Sequence, residues 1–270
     1  MNTANAAVVS NNSDELVVNG GPSSMPEILE IGNDLDIAGA AGVVKDVLGC
    51  IGFNSDDDRR NFARFLVSGI IAYDVYDLDN EIMNSSRVSP PALMIIESSE
   101  PASGKTTVAK LFAKIFNNSD LFLSGDIGLD DIKCALSKGN GANRVCVFDN
   151  VRTLKDDASD LVSLAVISGK FSSRVLGSVN VSEFGIPIVV ITALDSLKIS
   201  EDLERRVVRV KLKKDGITRS IPELIDPVAR YIRKALRTLV GDYIPNRFDG
   251  AFESTAMWKD KMDEFLKPVF

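Results

Sequence analysis

Histidine is absent from all 270 residues. That excludes Ser-His and Cys-His catalysis and histidine-ligated metal sites, and leaves a carboxylate, lysine, tyrosine or cysteine as any proton acceptor. Cysteine is scarce too. Cys50, Cys134 and Cys146 lie far apart without metal-ligand spacing, and their odd number argues against a disulfide framework. A reducing cytoplasm suits them. Long hydrophobic runs are also missing. The longest, residues 65–73, is interrupted by Ser68 and Gly69 and is too short to span a bilayer, so no membrane partner is expected. The start of the chain lacks a cationic stretch leading into an apolar one, which argues against a secretory signal. Rich in Asn, Ser, Ala and Gly, residues 1–26 read as a disordered tail.

What remains is the balance of a soluble globular protein, 45% hydrophobic and 26% charged. A net charge of −7 gives no global attraction to nucleic acid, so any such contact needs a local basic patch.

Along the chain, residues 35–76 have a helical pattern, with Asp56, Asp57 and Asp58 at a helix start and Phe62, Phe65 and Leu66 at helical spacing. Residues 80–91 read as a loop closed by Ser89, Pro90 and Pro91. Apolar runs at 92–96, 145–148, 187–191 and 207–212 predict buried strands, with a short one at 121–123. Helices are expected at 104–116, 129–137, 159–167, 221–239 and 257–266. Strands alternating with helices predict an α/β fold with a mainly parallel sheet covered on both faces. The expected segments are a helical lead-in over 27–88, an α/β core over 89–215 and a helical C-terminal region over 216–270.

The decisive stretch is M-I-I-E-S-S-E-P-A-S-G-K-T-T-V-A-K, residues 94–110. A strand feeds a loop, and the loop feeds a helix at Gly104, Lys105 and Thr106, the context that makes a phosphate-binding loop credible. Backbone N–H groups and the helix dipole favour negative phosphates there. Gly104 lets the backbone approach, Lys105 reaches the β- and γ-phosphates, and the Thr106 hydroxyl ligates Mg2+. ATP is the expected ligand, cradled by Ser99, Glu100, Pro101, Ala102, Ser103, Gly104, Lys105, Thr106 and Thr107. Ser99 stands where a first glycine is usual, and Pro101 restricts the loop in partial compensation.

Downstream, R-V-C-V-F-D-N places Asp149 at the carboxyl end of a neighbouring strand, where it would hold Mg2+ beside Thr106. The plainer reading is a strand-end cap. Asn150 stands where many oligomeric ATPases carry a catalytic glutamate; it cannot accept a proton but can orient a water. Glu97 and Glu100 are the nearby carboxylates that can polarise water, unless they are simply solvated loop residues.

The stretches V-F-D-N-V, D-L-V-S-L-A-V-I-S-G-K-F-S-S-R-V-L, I-P-I-V-V-I-T-A-L and E-D-L-E-R-R-V-V-R-V resemble the phage- and plasmid-type replication ATPases near the superfamily-three helicases, within the AAA+ class. The likeness covers roughly residues 60–215. It implies an AAA+-like P-loop NTPase that works as a homo-oligomeric ring on DNA with replication proteins. It places Thr192 at or beside a polar sensor, Arg174 in the basic loop before that strand, and Arg205 or Arg206 where an arginine serves the neighbouring subunit's γ-phosphate. Each has a structural alternative: a strand end for Thr192, a surface charge for Arg174, and helix-surface pairing with Glu201, Asp202 or Glu204 for the arginine pair. A monomeric kinase and a nucleotide-gated scaffold without catalysis remain open as functions. Arg230, Arg233, Lys234 and Arg237 recur at helical spacing and read chiefly as the solvated side of an amphipathic helix.

Overall fold

A computed structural model of the protein describes residues 35–78, 93–116, 122–124, 130, 133, 145–154, 159–162, 170–174, 181–185, 188–194, 197–204, 207–217, 225–241 and 255–270. The expected 1–26 tail, Cys134, Arg205 and Arg206 lie outside these residues, as do most of the helices expected at 129–137 and 159–167.

Helix α1 (Ile37–Gly49) starts at Asp36, whose carboxylate accepts the Gly39 N–H at 2.7 Å and so satisfies one open donor of the first turn. A short strand, β1 (Ile51–Phe53), follows. Helix α2 (Asp56–Leu78) then opens on Ser55, whose hydroxyl accepts the Asp58 N–H at 3.1 Å and donates to Asp58 Oδ2 at 2.5 Å. The lead-in is thus two helices around a strand, not helix throughout. Ile51 and Phe53 are buried, a period-two signal only three residues long and easily lost between two helical patterns.

Strand β2 (Leu93–Ser98) is buried along its whole length and precedes helix α3 (Lys105–Phe116). β3 (Phe122–Ser124) and β4 (Val145–Val151) come next, then β5 (Lys170–Arg174), β6 (Val181–Gly185) and β7 (Ile188–Leu194). A single helical turn, α4 (Glu201–Glu204), leads to β8 (Val207–Ile217), α5 (Ile225–Val240) and α6 (Thr255–Leu266). The main sheet runs β1-β8-β2-β7-β4-β3; β8, β2, β7, β4 and β3 pair in parallel, and β1 closes the edge antiparallel to β8. The fold is therefore α/β with a mostly parallel sheet. Two placements differ from the sequence reading. β4 does not adjoin β2, because β7 lies between them. Arg174 ends a strand of the antiparallel β5-β6 ribbon instead of sitting in a loop.

Alternation sorts the sheet's side chains into two cores. Met94, Ile96, Val147, Val190 and Val210 face α1, α2, α3, α5 and α6. Leu93, Ile95, Cys146, Phe148 and Ile191 face Leu154, Val162, Leu197 and Leu203. Burial pushes the Cys146 thiol up to about 12, so it behaves as a small apolar group.

Polar contacts tie the C-terminal helices to this frame. Trp258 Nε1 donates to Ser68 Oγ at 2.6 Å, and Arg64 makes paired bonds to Asp263 at 2.8 and 2.6 Å. Arg233 is not part of a solvated face. It donates to the carbonyls of Ile115 and, at 3.2 Å, Lys114, closing the end of α3 where helix carbonyls lack partners.

Gly69 on α2 lies under the Phe116 ring, where an added Cβ would come within 2.5 to 3.0 Å of three ring carbons. Overpacking of this kind costs about 1–3 kcal/mol, against a helix-propensity gain of about 1 kcal/mol. Gly69→Ala is expected to lower stability in urea unfolding, and combining it with Phe116→Leu is expected to cost less than the sum of the two.

Candidate functional site

Between β2 and α3 the chain must reverse from the sheet's carboxyl edge into a helix. Pro101 fixes one φ of this 99–104 loop, while Ala102 and Gly104 adopt φ of 58° and 83°. Positive φ at 102 and 104 but not at 103 is the alternation that gathers successive backbone N–H groups into an anion-accepting concavity. Ser99 is not among the positive-φ residues, so a glycine's freedom is not required there. The conformation instead strains Ala102, at about 1–2 kcal/mol for a non-glycine residue.

Polar bonds brace the loop from inside. Ser98 Oγ accepts the Glu100 N–H at 3.2 Å, and Lys105 Nζ donates to buried Ser103 Oγ at 3.1 Å and to the Glu100 carbonyl at 3.4 Å. The Lys105 ammonium therefore sits within the loop's concavity. Ser99 and Glu100 are exposed, and the Glu100 carboxylate is 3.8 Å from the Lys214 ammonium. Thr107 is half-buried in the first turn of α3.

Across the sheet edge, Thr106, Asp149, Thr192 and Asn150 converge. Thr106 Oγ1 donates to the Asp149 carboxylate, 2.9 and 3.1 Å from its two oxygens. Thr192 Oγ1 donates to Asp149 Oδ1 at 2.6 Å and accepts the Asn150 N–H at 2.8 Å. The register explains how β4 delivers these groups. Phe148 pairs with Ile191, but Val151 pairs with Ala193, so three steps on β4 match two on β7. The extra residue is a β-bulge, a device that re-aims side chains at strand ends. Asn150 takes it up with φ 57°, a region Asn enters more readily than most residues. Asp149 therefore faces α3, Val151 returns to the opposite core and Asn150 stands exposed.

A hydroxyl beside a carboxylate is a hard-oxygen pair suited to Mg2+. Among the described residues no cluster of three or more His, Cys, Asp or Glu side chains is placed to hold a metal unaided. Thr106 Oγ1 and the Asp149 carboxylate are the oxygens that would hold such a cation here.

Glu97 is turned away from these groups. As a water-polarising base it would have to reach the Asp149 side of the sheet, but alternation turns it to the other face. It is 2% exposed, accepts the Leu197 N–H at 2.9 Å and pairs with the Arg209 guanidinium. Arg209 also donates to the Leu197 carbonyl at 2.9 Å and makes two 2.7 Å bonds to Glu204, holding that carboxyl below its usual range. Arg209 escaped the sequence reading. Its signal was an arginine inside V-V-R-V, matching a glutamate at the end of M-I-I-E. Arg205 and Arg206 lie in the two-residue gap between α4 and β8.

No family profile matches the sequence, and no curated protein matches it. Among solved structures the chain is similar to the apo A form of the NrS-1 C-terminal region, at 12% identity and TM-score 0.46, over 82% of this chain and 50% of that one. It is also similar to the inhibitor-bound JCV helicase, at 13% identity and TM-score 0.41, over 88% of this chain and 61% of that one. The chain spans about half the length of the NrS-1 region.

Breaking a buried pair leaves an uncompensated charge, at a cost of roughly 3–5 kcal/mol. Arg209→Met is expected to lose about that much in denaturant unfolding, and Glu97→Leu added to it is expected to recover most of the loss. Glu204 adds a pH dependence. Because its folded pKa is lowered, its contribution is present above the unfolded value near 4.5 and is lost as pH falls through the folded value.

Proposed function

We propose that the chain binds ATP with Mg2+ at the 99–104 loop and hydrolyses it, acting as a ring-forming AAA+-like motor or loader of the replication-helicase type. The observation that carries this reading is the approach of Thr106 to Asp149 at 2.9 and 3.1 Å, next to a loop with Lys105 in its concavity.

In this reading the backbone N–H groups from Ala102 to Thr107, at the loop's end and the α3 N-terminus, receive the phosphates, with Lys105 as the point charge on the β- and γ-oxygens. Thr106 and Asp149 hold the cation, which when bound neutralises charge on the transferring phosphoryl group. With Glu97 engaged on the other face, Asn150 orients the attacking water and Glu100, exposed on the loop, is the nearby carboxylate left to polarise it. Arg205 or Arg206 supplies positive charge to a neighbouring subunit's γ-phosphate. DNA is the object of the work. No helix among the described residues is long and apolar enough to cross a membrane. The place of action in this reading is the cytoplasm.

Two variants test the nucleotide site and the ring together. Lys105→Ala is expected to abolish ATP binding or turnover with the fold intact by circular dichroism. Mixing it with Arg205→Ala/Arg206→Ala protein is expected to restore turnover that neither shows alone, because an arginine supplied in trans is worth about a thousandfold or more. Unaltered ATP affinity and turnover in Lys105→Ala would refute the nucleotide site. No recovery at any ratio, with a monomeric mass in ATP, would remove the ring and favour a kinase-like or scaffold role.

A further inference from the structure

Thr192 stands at the strand end where a sensor of the γ-phosphate is expected, yet its bonding leaves it no means of sensing. A threonine hydroxyl has one proton and two lone pairs. Here the proton goes to Asp149 Oδ1 at 2.6 Å, the short range of a charge-assisted bond, and a lone pair takes the Asn150 N–H at 2.8 Å. The residue is 1% exposed, so a ligand has no direct access to it. Both bonds fall on the two residues of the β4 bulge, where the ladder to β7 is interrupted between Phe148 and Val151. A side chain of β7 thus replaces the missing backbone pairing and holds Asn150 at φ 57°.

We infer that Thr192 is a positioning residue: it pins the β4 bulge so that the Asp149 carboxylate meets Thr106, and thereby sets divalent-cation affinity without touching the nucleotide. The inference rests on the nucleotide site proposed above. Its logic is that of an outer partner of a metal ligand. Such partners fix ligand orientation, and their loss weakens metal affinity about 10–100-fold. A sensor, by contrast, bonds the γ-phosphate itself, and its loss erodes the preference for ATP over ADP.

Thr192→Val keeps the shape and β-branching but removes the hydroxyl; Thr192→Ser keeps the hydroxyl. Three readouts separate the roles: the Mg2+ concentration that half-saturates ATP binding, the ATP-to-ADP affinity ratio at saturating Mg2+, and amide hydrogen exchange at Asn150 without nucleotide. Thr192→Val is expected to raise the Mg2+ requirement about tenfold or more and to speed exchange at Asn150. The ATP-to-ADP ratio is expected to stay unchanged, and Thr192→Ser to resemble the parent in all three. If Thr192→Val leaves the Mg2+ requirement unchanged, or lowers the ATP-to-ADP ratio instead, the positioning role is overturned while the nucleotide site stands. If the parent protein binds no ATP at any Mg2+ concentration, both fall. Faster exchange at Asn150 in both variants overturns the claim that the hydroxyl holds the bulge.

Discussion

Asp149 carries its charge between two hydroxyls from different elements, Thr106 on α3 and Thr192 on β7. The helix that follows the loop, the strand that ends in the acid and the strand between β2 and β4 are registered on this one carboxylate. A charge at a sheet edge costs free energy unless hydrogen bonds and neighbouring dipoles compensate it. Here two hydroxyls do so. Because Asp149 lies one strand further from β2 than an adjacent acid would, β7 can contribute a polar side chain between loop and acid. The interposed strand therefore makes Thr192 available to the site.

The same sheet end carries a second charged cluster on its opposite face. Glu97 leaves β2 one residue before Ser98, and through Arg209 it joins Leu197 and Glu204. A buried ion pair contributes little net stability over an apolar replacement. It does specify geometry, since moving the 197–204 segment would strand a buried charge. Glu97 Oε2 has no hydrogen-bond partner among the described residues, so the pair is held through one oxygen only. One face of the strand end thus carries the Thr106, Asp149 and Thr192 cluster, while the other fixes the 197–204 segment.

Much of the architecture was legible from periodicity. The apolar runs that became β2, β4 and β7 are continuous because both faces of a central parallel sheet are buried, whereas β8 alternates buried Val208, Val210 and Leu212 with Arg209 and Lys211. The strand-loop-helix context around Lys105 needed only spacing. What was hidden depends on the third dimension. A three-residue strand such as β1 has too little pattern to separate from its helical neighbours. The β5-β6 ribbon lies in a stretch whose apolar residues do not alternate cleanly. Glu97 and Asp149 occupy similar strand-end positions in the sequence, and only alternation across the folded sheet puts them on opposite faces. The β4 bulge left no mark except an asparagine tolerant of positive φ. Arg233, read as part of a basic helix face, spends its guanidinium on carbonyls 118 and 119 residues earlier in the chain.

In the proposed function, Thr106 and Asp149 form one half of a cation site whose other half is nucleotide. Calorimetric titration of the unmodified protein with ATP, once with excess Mg2+ and once with the metal chelated, tests this most directly. Saturable binding with Mg2+, clearly weakened by chelation, is the predicted result. Binding of equal strength in both conditions would contradict the cation site, and no binding in either would contradict the nucleotide loop itself.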